Sequence, residues 1–179
     1  MRTLFLAGWN LIRLLLVRLR CPGFRAEAGQ LLGLNTRLVV KKTSEVLLGK
    51  RVVSDGRLTI IVERDGKLTI GDRVYFNENT MISCIDRVSI GENCLFGPHI
   101  CIYDSNHEYD ATSGVKPTSQ TAPISIGRGC WIGANTVILK GATIGENCVI
   151  GAGCVVSGYI PGGSIVTMER SLKVRKIGE

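Results

Sequence analysis

Residues 126–156 read IGRGCWIGANTVILKGATIGENCVIGAGCVV, and this stretch decides the fold because it repeats every six residues. Glycine occupies the second position of four of the hexads, and the fifth position carries only Cys, Thr or Ala. A period held over this length is typical of a stacked repeat rather than of a mixed globular core. The first position of each hexad is aliphatic: Ile126, Ile132, Ile138, Ile144, Ile150 and Val156.

The same pattern occurs upstream in two shorter runs, between which the phase shifts by two residues. Such hexads predict a parallel β-solenoid, in which each hexad supplies one short strand and one turn and three hexads make one triangular coil. The aliphatic residue points inward, and glycine after it suits a turn whose backbone is tight or has a positive φ. The runs are Ile70, Phe76 and Ile82, and then Ile90, Phe96 and Ile102.

The hexads also divide the chain into segments. We expect an amphipathic N-terminal helix over residues 1–24, irregular strands over 25–69, the hexapeptide-repeat β-helix over 70–161 and a basic C-terminal tail over 162–179. A protruding loop is predicted at 103–123, because the segment between Ile102 and Ile126 carries few apolar side chains and cannot remain on the coil. Loops without a role in the core are where function usually lies.

The N-terminal segment TLFLAGWNLIRLLLVRLR, residues 3–20, is rich in leucine and contains scattered arginines. Asn10 and Arg13 at mid-span argue against a transmembrane helix, and no clean apolar core or small-residue cleavage site marks a signal peptide. Two interpretations are open. The segment is either a basic amphipathic helix that contacts a membrane surface through residues 1–20, or a helix packed across the base of the solenoid.

Charge and cysteine content exclude several classes of protein. The net charge of +7 permits a nucleic acid, an anionic membrane or a phosphate-rich ligand. No nucleic-acid-binding motif is present, so we expect no nucleic-acid partner. The seven cysteines contain no CxxC pair, which favours a reduced, cytoplasmic protein without a metal site. Two histidines are also too few for the zinc site of a γ-class carbonic anhydrase.

One of the two histidines, His107, lies in the predicted loop within YDSNHEYD, residues 103–110. An imidazole accepts a proton near neutral pH, and a neighbouring carboxylate or carbonyl can fix its tautomer. On the residues alone, a catalytic base and a plain solvated histidine both remain open. We expect the second histidine, His99, to be exposed and without a role.

The segment FGPHICIYDSNHEYD, followed by APISIGRGCWIGANTVILKGATIGENCVIGAGCVVS, resembles the hexapeptide-repeat acyltransferases, in the sugar O-acetyltransferase branch of the maltose and galactoside type. The resemblance implies a left-handed β-helix, a homotrimer with sites between subunits, and acetyl-CoA as the acyl donor without a metal. It also implies that His107 is the catalytic base, which deprotonates an acceptor hydroxyl as that hydroxyl attacks the thioester.

Further site residues are predicted in the same way. We predict acceptor contacts at Asn77, Asp86 and Tyr109. Where the branch has a sugar-binding carboxylate this chain has Cys84 and Ile85, with Asp86 displaced by one, so maltose and simple galactosides fit poorly. The tail also lacks the GNPA segment usual in the family. Predicted contacts to acetyl-CoA are Trp131, Ala134, Ala152, Ser157, Lys173, Arg175 and Lys176.

These expectations amount to an acetyl-CoA-dependent O-acetyltransferase for a sugar hydroxyl in surface polysaccharide biosynthesis. We expect it in the cytoplasm or peripherally at the inner face of the membrane. Two alternatives remain open: an acetyltransferase for a small hydroxyl acceptor (serine, an antibiotic or a free sugar), and a non-catalytic, membrane-associated solenoid scaffold.

Overall fold

The structure, a computed structural model, describes residues 2–169, which contain one helix followed by 22 short strands. Helix α1 spans Arg2–Arg20, so the expected N-terminal helix is confirmed. Twenty of the strands wind in successive coils, and the other two form a hairpin inserted after the fourth coil.

The strands follow one another in groups of three per coil. The first two coils comprise β1 (Phe24–Ala26), β2 (Leu31–Leu32), β3 (Arg37–Val40), β4 (Glu45–Leu48), β5 (Val53–Ser54) and β6 (Leu58–Val62). The next two comprise β7 (Lys67–Ile70), β8 (Tyr75–Phe76), β9 (Thr80–Cys84), β10 (Arg87–Ile90), β11 (Leu95–Phe96) and β12 (Cys101–Tyr103). The hairpin is β13 (Ser105–Asp110) and β14 (Gly114–Thr121). The remaining strands are β15 (Ile124–Ile126), β16 (Trp131–Ile132), β17 (Val137–Leu139), β18 (Thr143–Ile144), β19 (Val149–Ile150), β20 (Val155–Val156), β21 (Tyr159–Ile160) and β22 (Ile165–Val166).

Equivalent strands of successive coils pair in parallel and form three sheets, which we call faces A, B and C. Face A contains β1, β4, β7, β10, β15, β18 and β21; face B contains β2, β5, β8, β11, β16, β19 and β22. Face C contains β3, β6, β9, β12, β17 and β20. The three faces enclose one interior, so the predicted β-solenoid is confirmed, with about six turns and the architecture of a left-handed β-helix.

The interior is a stack of aliphatic and small side chains. Every first-position residue of the 126–156 run is buried, as its hexads predict. Phe76 and Phe96, one coil apart on face B, stack with ring centroids 4.8 Å apart. The fifth-position cysteines are confirmed as inward and buried: Cys94, Cys130, Cys148 and Cys154.

The first coils are longer than the later ones, which explains why the hexad pattern fails there. Ser125 pairs with Thr143, an interval of three hexads, whereas the interval between the paired residues Val46 and Leu68 is longer. Part of the extra length lies in face C, where β6 and β9 each have five residues. The structure therefore differs from the expectation of irregular strands over 25–69, because these residues form regular coils of a longer period.

The C-terminal boundary also differs from the sequence-based expectation. Strand β22 at Ile165–Val166 pairs with β19, so the solenoid continues past residue 161 into the segment expected as a tail. The rest of that segment, from residue 170 onward, lies outside the described residues.

Glycine at the second hexad position allows close packing between coils. A Cβ atom on Gly91 would lie 2.4 Å from the backbone nitrogen of Arg128 in the next coil. Positive φ angles occur two positions later instead, at residues such as Asn93 and Asn135, both with φ of 58°. Of the two explanations for these glycines, the tight backbone is therefore the one that the structure supports.

Helix α1 packs across the open end of the first coil, through β1 and β2. Asn10 is buried and its Nδ2 donates a hydrogen bond to the Leu32 carbonyl at 2.9 Å, while Leu14 joins the core. Of the two interpretations left open by the sequence, the structure shows a helix packed on the solenoid, and the opposite side of α1 is apolar and uncovered. No helix within residues 2–169 is long and apolar enough to cross a bilayer.

The close approach of the coils predicts a large effect of Gly91→Ala. The new methyl group cannot be accommodated unless two coils separate, so we expect the free energy of unfolding to fall by about 1–3 kcal/mol or more. Gly8→Ala is the matched control, because nothing lies within 4 Å of its added Cβ and alanine favours a helix. Urea unfolding of both variants measures this, and equal midpoints would contradict the packing role of Gly91.

Candidate active site

The interruption predicted as a loop over 103–123 is an antiparallel hairpin at the corner where face C passes into face A. Strand β13 pairs with β14, and His107 lies opposite Ser119. The register shifts between His107 and Tyr109, which marks a bulge in the hairpin. The segment carrying the candidate base is therefore an ordered two-stranded arm.

The tip of the hairpin is organised by Asp110. Its Oδ1 accepts hydrogen bonds from the backbone nitrogens of Thr112 and Ser113, at 2.8 and 2.7 Å. Lys116 Nζ lies 2.8 Å from Oδ2. The pKa of the Asp110 carboxyl is held well below its usual range, mainly by Lys116 and further by the hydrogen bonds from Ser113 and Thr112. The carboxylate therefore stays charged and keeps the turn closed.

The base of the hairpin is held by Asp104, whose side chain is fully buried. Its Oδ2 accepts hydrogen bonds from the backbone nitrogens of Ile85 at 3.0 Å and Asp86 at 2.8 Å, and its carbonyl accepts one from Ala122 N at 3.0 Å. The pKa of the nearby Cys84 thiol is raised to about 12, mainly by burial and further by the negative charge of Asp104. Asp104 thus joins both ends of the hairpin to the coil below.

An open cleft of about 750 Å³ lies beside the hairpin, on the side of the second to fourth coils. Its size is within the range of sites for small molecules. His107 and Tyr109 line it from the hairpin, and Glu63 and Arg64 supply charge from the second coil. Hydroxyl groups supply most of the remaining polar lining: Ser83, Tyr103, Ser105 and Ser119.

His107 is exposed on the wall of this cleft. Within residues 2–169 the structure gives its imidazole no hydrogen bond, so its position follows from the backbone pairing of β13 with β14. A ring held by its backbone and open to the cleft can reach a bound hydroxyl directly. General-base chemistry requires that access.

Two functional candidates were missed by sequence reasoning. The first is Asp104, which follows the inward Ile102 by two residues. Because side chains alternate along a strand, this spacing places the Asp104 carboxylate inside the coil just before the hairpin, and the sequence alone could have shown it. The second is Tyr103, which faces the cleft. A hydrogen bond with the Cys101 thiol is the main cause, and burial the second, that raises the pKa of the Tyr103 hydroxyl to about 12. Tyr103 therefore remains a neutral hydroxyl that can donate.

The predicted acceptor-binding residues do not all lie together in one chain. Asp86 and Tyr109 lie at the corner of faces C and A, near His107. Asn77 follows β8 at the corner of faces B and C, and its Oδ1 accepts a hydrogen bond from Glu78 N at 2.7 Å.

The residues predicted to bind acetyl-CoA also lie at different faces and corners of the solenoid. Trp131 is exposed on face B, and Ala134 and Ala152 follow one coil apart at the corner of faces B and C. Ser157 lies at the corner of faces C and A, after β20. The remaining predictions, Lys173, Arg175 and Lys176, lie outside the described residues. Within residues 2–169 no three His, Cys, Asp or Glu side chains are grouped to hold a metal ion.

The sequence on both sides of the hairpin matches known repeat families. Residues 123–158 match "Bacterial transferase hexapeptide (six repeats)", and residues 87–99 match "Hexapeptide repeat of succinyl-transferase". A hexapeptide-repeat-containing acetyltransferase of Vibrio cholerae, VCA0836, solved in complex with acetyl coenzyme A, is 30% identical with a TM-score of 0.59, and the match covers 71% of each chain. The chain therefore belongs to the hexapeptide-repeat acyltransferase family.

Curated relatives include two proteins of Escherichia coli that are named as O-acetyltransferases, one of them as putative. Galactoside O-acetyltransferase is 34% identical over 110 residues, which are 62% of this chain and 54% of that protein. The putative lipopolysaccharide biosynthesis O-acetyl transferase WbbJ is 26% identical over 136 residues, 71% of this chain and 69% of that protein. The chain spans about half the length of the curated relatives that it matches at the highest identity.

The buried position of Asp104 predicts a measurable loss on Asp104→Asn. An amide keeps one acceptor but turns an NH₂ group toward a backbone N–H, so we expect the free energy of unfolding to fall by about 1–3 kcal/mol. Asp65→Asn makes the same chemical change at an exposed position between β6 and β7, and its urea midpoint should stay close to that of the wild type. Equal midpoints for the two variants would show that Asp104 does not hold the hairpin.

Proposed function

We propose that this protein is an acetyltransferase that moves the acetyl group of acetyl-CoA to a sugar hydroxyl, with His107 as the general base. The observation that carries the proposal is the place of His107. It lies on an ordered hairpin, beside an open cleft, between two hexad arrays of an acyltransferase family. The related Vibrio cholerae acetyltransferase was solved in complex with acetyl coenzyme A, which supports the choice of donor.

The reaction is a direct transfer between two bound substrates. The His107 imidazole takes the proton from the acceptor hydroxyl, and the hydroxyl oxygen attacks the thioester carbonyl. The carbon–sulfur bond then breaks, the acetyl group remains on the acceptor, and the imidazolium returns the proton to the leaving thiolate. Neutral donors such as the Tyr103 hydroxyl are available near the cleft to stabilise charge on the carbonyl oxygen. No cysteine nucleophile takes part in this scheme.

The outward side chains of the three faces support a homotrimer. Face B presents one continuous apolar row outward, in register from coil to coil: Leu31, Val53, Tyr75, Leu95, Trp131, Val149 and Ile165. Face C presents Met81, Cys101, Val137 and Val155 in its corresponding row. Face A is mostly polar there, with Thr69, Ser89, Ser125 and Thr143 in its central coils. Two apolar faces and one polar face suit a ring of three subunits, each docking face B against face C of its neighbour.

Such a ring would also complete the site. The hairpin with His107 leaves the edge of face C, while Trp131, Ala134, Ala152 and Asn77 lie on face B or at its corner with face C. Docking face B against face C therefore brings the predicted acetyl-CoA groups of one subunit toward the His107 hairpin of the next. The small side chains of Ala134 and Ala152 would allow the pantetheine arm to approach the backbone closely.

The acceptor class that we favour is a sugar of a surface polysaccharide, modified on the cytoplasmic side of the membrane. The name of the Escherichia coli relative WbbJ refers to lipopolysaccharide biosynthesis, which supports an acceptor of this class. A cytoplasmic location is supported by seven free cysteines, six of them buried.

The role of His107 is tested by His107→Asn, which preserves polarity but removes the imidazole that accepts the proton in this scheme. We expect acetyl-CoA turnover, measured as free thiol released with a panel of hydroxyl acceptors, to fall by about 10²–10⁴-fold. His99→Asn is the matched control, because His99 is exposed at another corner in a left-handed turn with φ of 60°, which asparagine also adopts. Turnover that survives His107→Asn would contradict the mechanism, and a wild type inactive with every acceptor would favour a scaffold.

The trimer is tested by placing a charge on face B. Leu95→Arg puts a guanidinium on the outward apolar row, so we expect the mass in solution to fall from trimer to monomer and turnover to be lost. Ser89→Arg adds the same charge to the polar part of face A in the same coil and should leave the trimer intact. Multi-angle light scattering measures both, and a trimer that tolerates Leu95→Arg would exclude face B as the interface.

A further inference from the structure

Two polar residues of α1, Asn10 and Arg13, face the solenoid. Asn10 Nδ2 donates to the carbonyls of Leu6 and Leu32 at 2.8 and 2.9 Å. Arg13 Nη1 donates to the Gly33 carbonyl at 3.3 Å, and its Nη2 donates to Asn10 Oδ1. These hydrogen bonds fix the rotation of α1 about its own axis, so the opposite side of the helix must point away from the coils.

That opposite side is entirely apolar. At 3.6 residues per turn, its large side chains and Gly8 fill a continuous arc of about 160°, which contains no polar or charged residue. We call this surface the α1 arc. A contiguous exposed apolar surface of this kind marks an interaction site on a protein. The arc consists of Leu4, Phe5, Trp9, Leu11, Ile12, Leu15, Leu16 and Leu19, all of them exposed.

The same end of the molecule carries the whole net charge of the chain. Residues 1–42 contain eight Lys and Arg against one Glu, whereas residues 43–179 contain fourteen basic and fourteen acidic residues. Six of these basic side chains are exposed, and none forms an ion pair with another residue of the range 2–169. They are Arg18, Arg20, Arg25, Arg37, Lys41 and Lys42.

The combination of an apolar arc with a basic surround decides which partner fits. A second copy docked through the same surface would bring two strongly basic ends together, and repulsion between like charges opposes that arrangement. An anionic bilayer satisfies both features, because the apolar side chains enter the boundary of the acyl chains and the basic side chains meet the headgroup phosphates.

We propose that α1 binds this protein peripherally to the surface of an anionic phospholipid bilayer through the α1 arc. The solenoid then stands on its first coil, and the hairpin leaves the fourth coil, about 15 Å further along the axis at the spacing of neighbouring strands. A trimer would place three such helices on one side and strengthen binding by multivalency, a consequence that rests on the trimer proposed above. Membrane binding itself does not depend on acetyl transfer.

The full chain tests this by sedimentation with sucrose-loaded vesicles. We expect at least tenfold more protein to pellet with vesicles of phosphatidylcholine and phosphatidylglycerol, at about 70:30, than with phosphatidylcholine alone. The difference should shrink in about 0.5 M salt, because the basic residues act through screened charge. A wild type that stays in the supernatant with anionic vesicles at low salt would overturn the proposal.

Matched variants separate the α1 arc from a general effect of added charge. Ile12→Glu with Leu19→Glu changes two exposed residues of the arc, 60% and 73% exposed, and should reduce pelleting at least tenfold. Leu47→Glu with Tyr159→Glu makes the same change of charge at exposed positions of face A and should pellet like the wild type. Equal pelleting of the two double variants, once circular dichroism shows both folded, would contradict the proposal.

Tryptophan fluorescence reports insertion directly. The chain has two tryptophans, so Trp131→Phe leaves Trp9, on the α1 arc, as the sole reporter. Its emission should shift to shorter wavelength when the anionic vesicles are added. An unshifted emission would overturn the proposal. So would an oligomer larger than a trimer in vesicle-free buffer, if the Ile12→Glu/Leu19→Glu variant abolished it, because a second copy of the protein would then cover the α1 arc.

Discussion

The structure depends on the hydrogen bonds that each coil makes with the coils before and after it. A single coil consists of short strands and cannot bury its own inner face, so its stability comes from its neighbours. The parallel pairing keeps the inward residues of each face in register from one coil to the next. It also brings successive backbones so close that the second hexad position at Gly91 has no room for a side chain.

This rigid stack explains how a hairpin can be inserted without disturbing the fold. Val88 pairs with Ile124 across the insertion, so the coil before the hairpin stacks directly on the coil after it. Asp104 makes the junction, because its buried carboxylate and its carbonyl hold both ends of the hairpin. His107 therefore takes a defined position from backbone pairing and needs no hydrogen bond of its own to stand at the cleft.

The outer surface of the solenoid is divided into polar and apolar regions. Face A is mostly polar, faces B and C carry apolar rows, and the base carries the α1 arc with its basic surround. The interior accounts for none of these outward apolar residues, since each coil already has a complete inner face. These outward apolar residues are the basis for proposing a neighbouring subunit on the flanks and a lipid surface at the base.

The sequence by itself determined the solenoid, its inward columns and the place of the interruption, because a period of one hexad makes each of these visible in a short stretch of chain. It did not show the first coils, since their greater length hides the period. Only the tertiary structure showed that the interruption is a hairpin clamped by Asp104, and that Asn10 and Arg13 turn α1 with its leucines outward. Both depend on contacts between segments that are distant in the chain, such as Asn10 with Leu32 and Asp104 with Asp86, which no local pattern records.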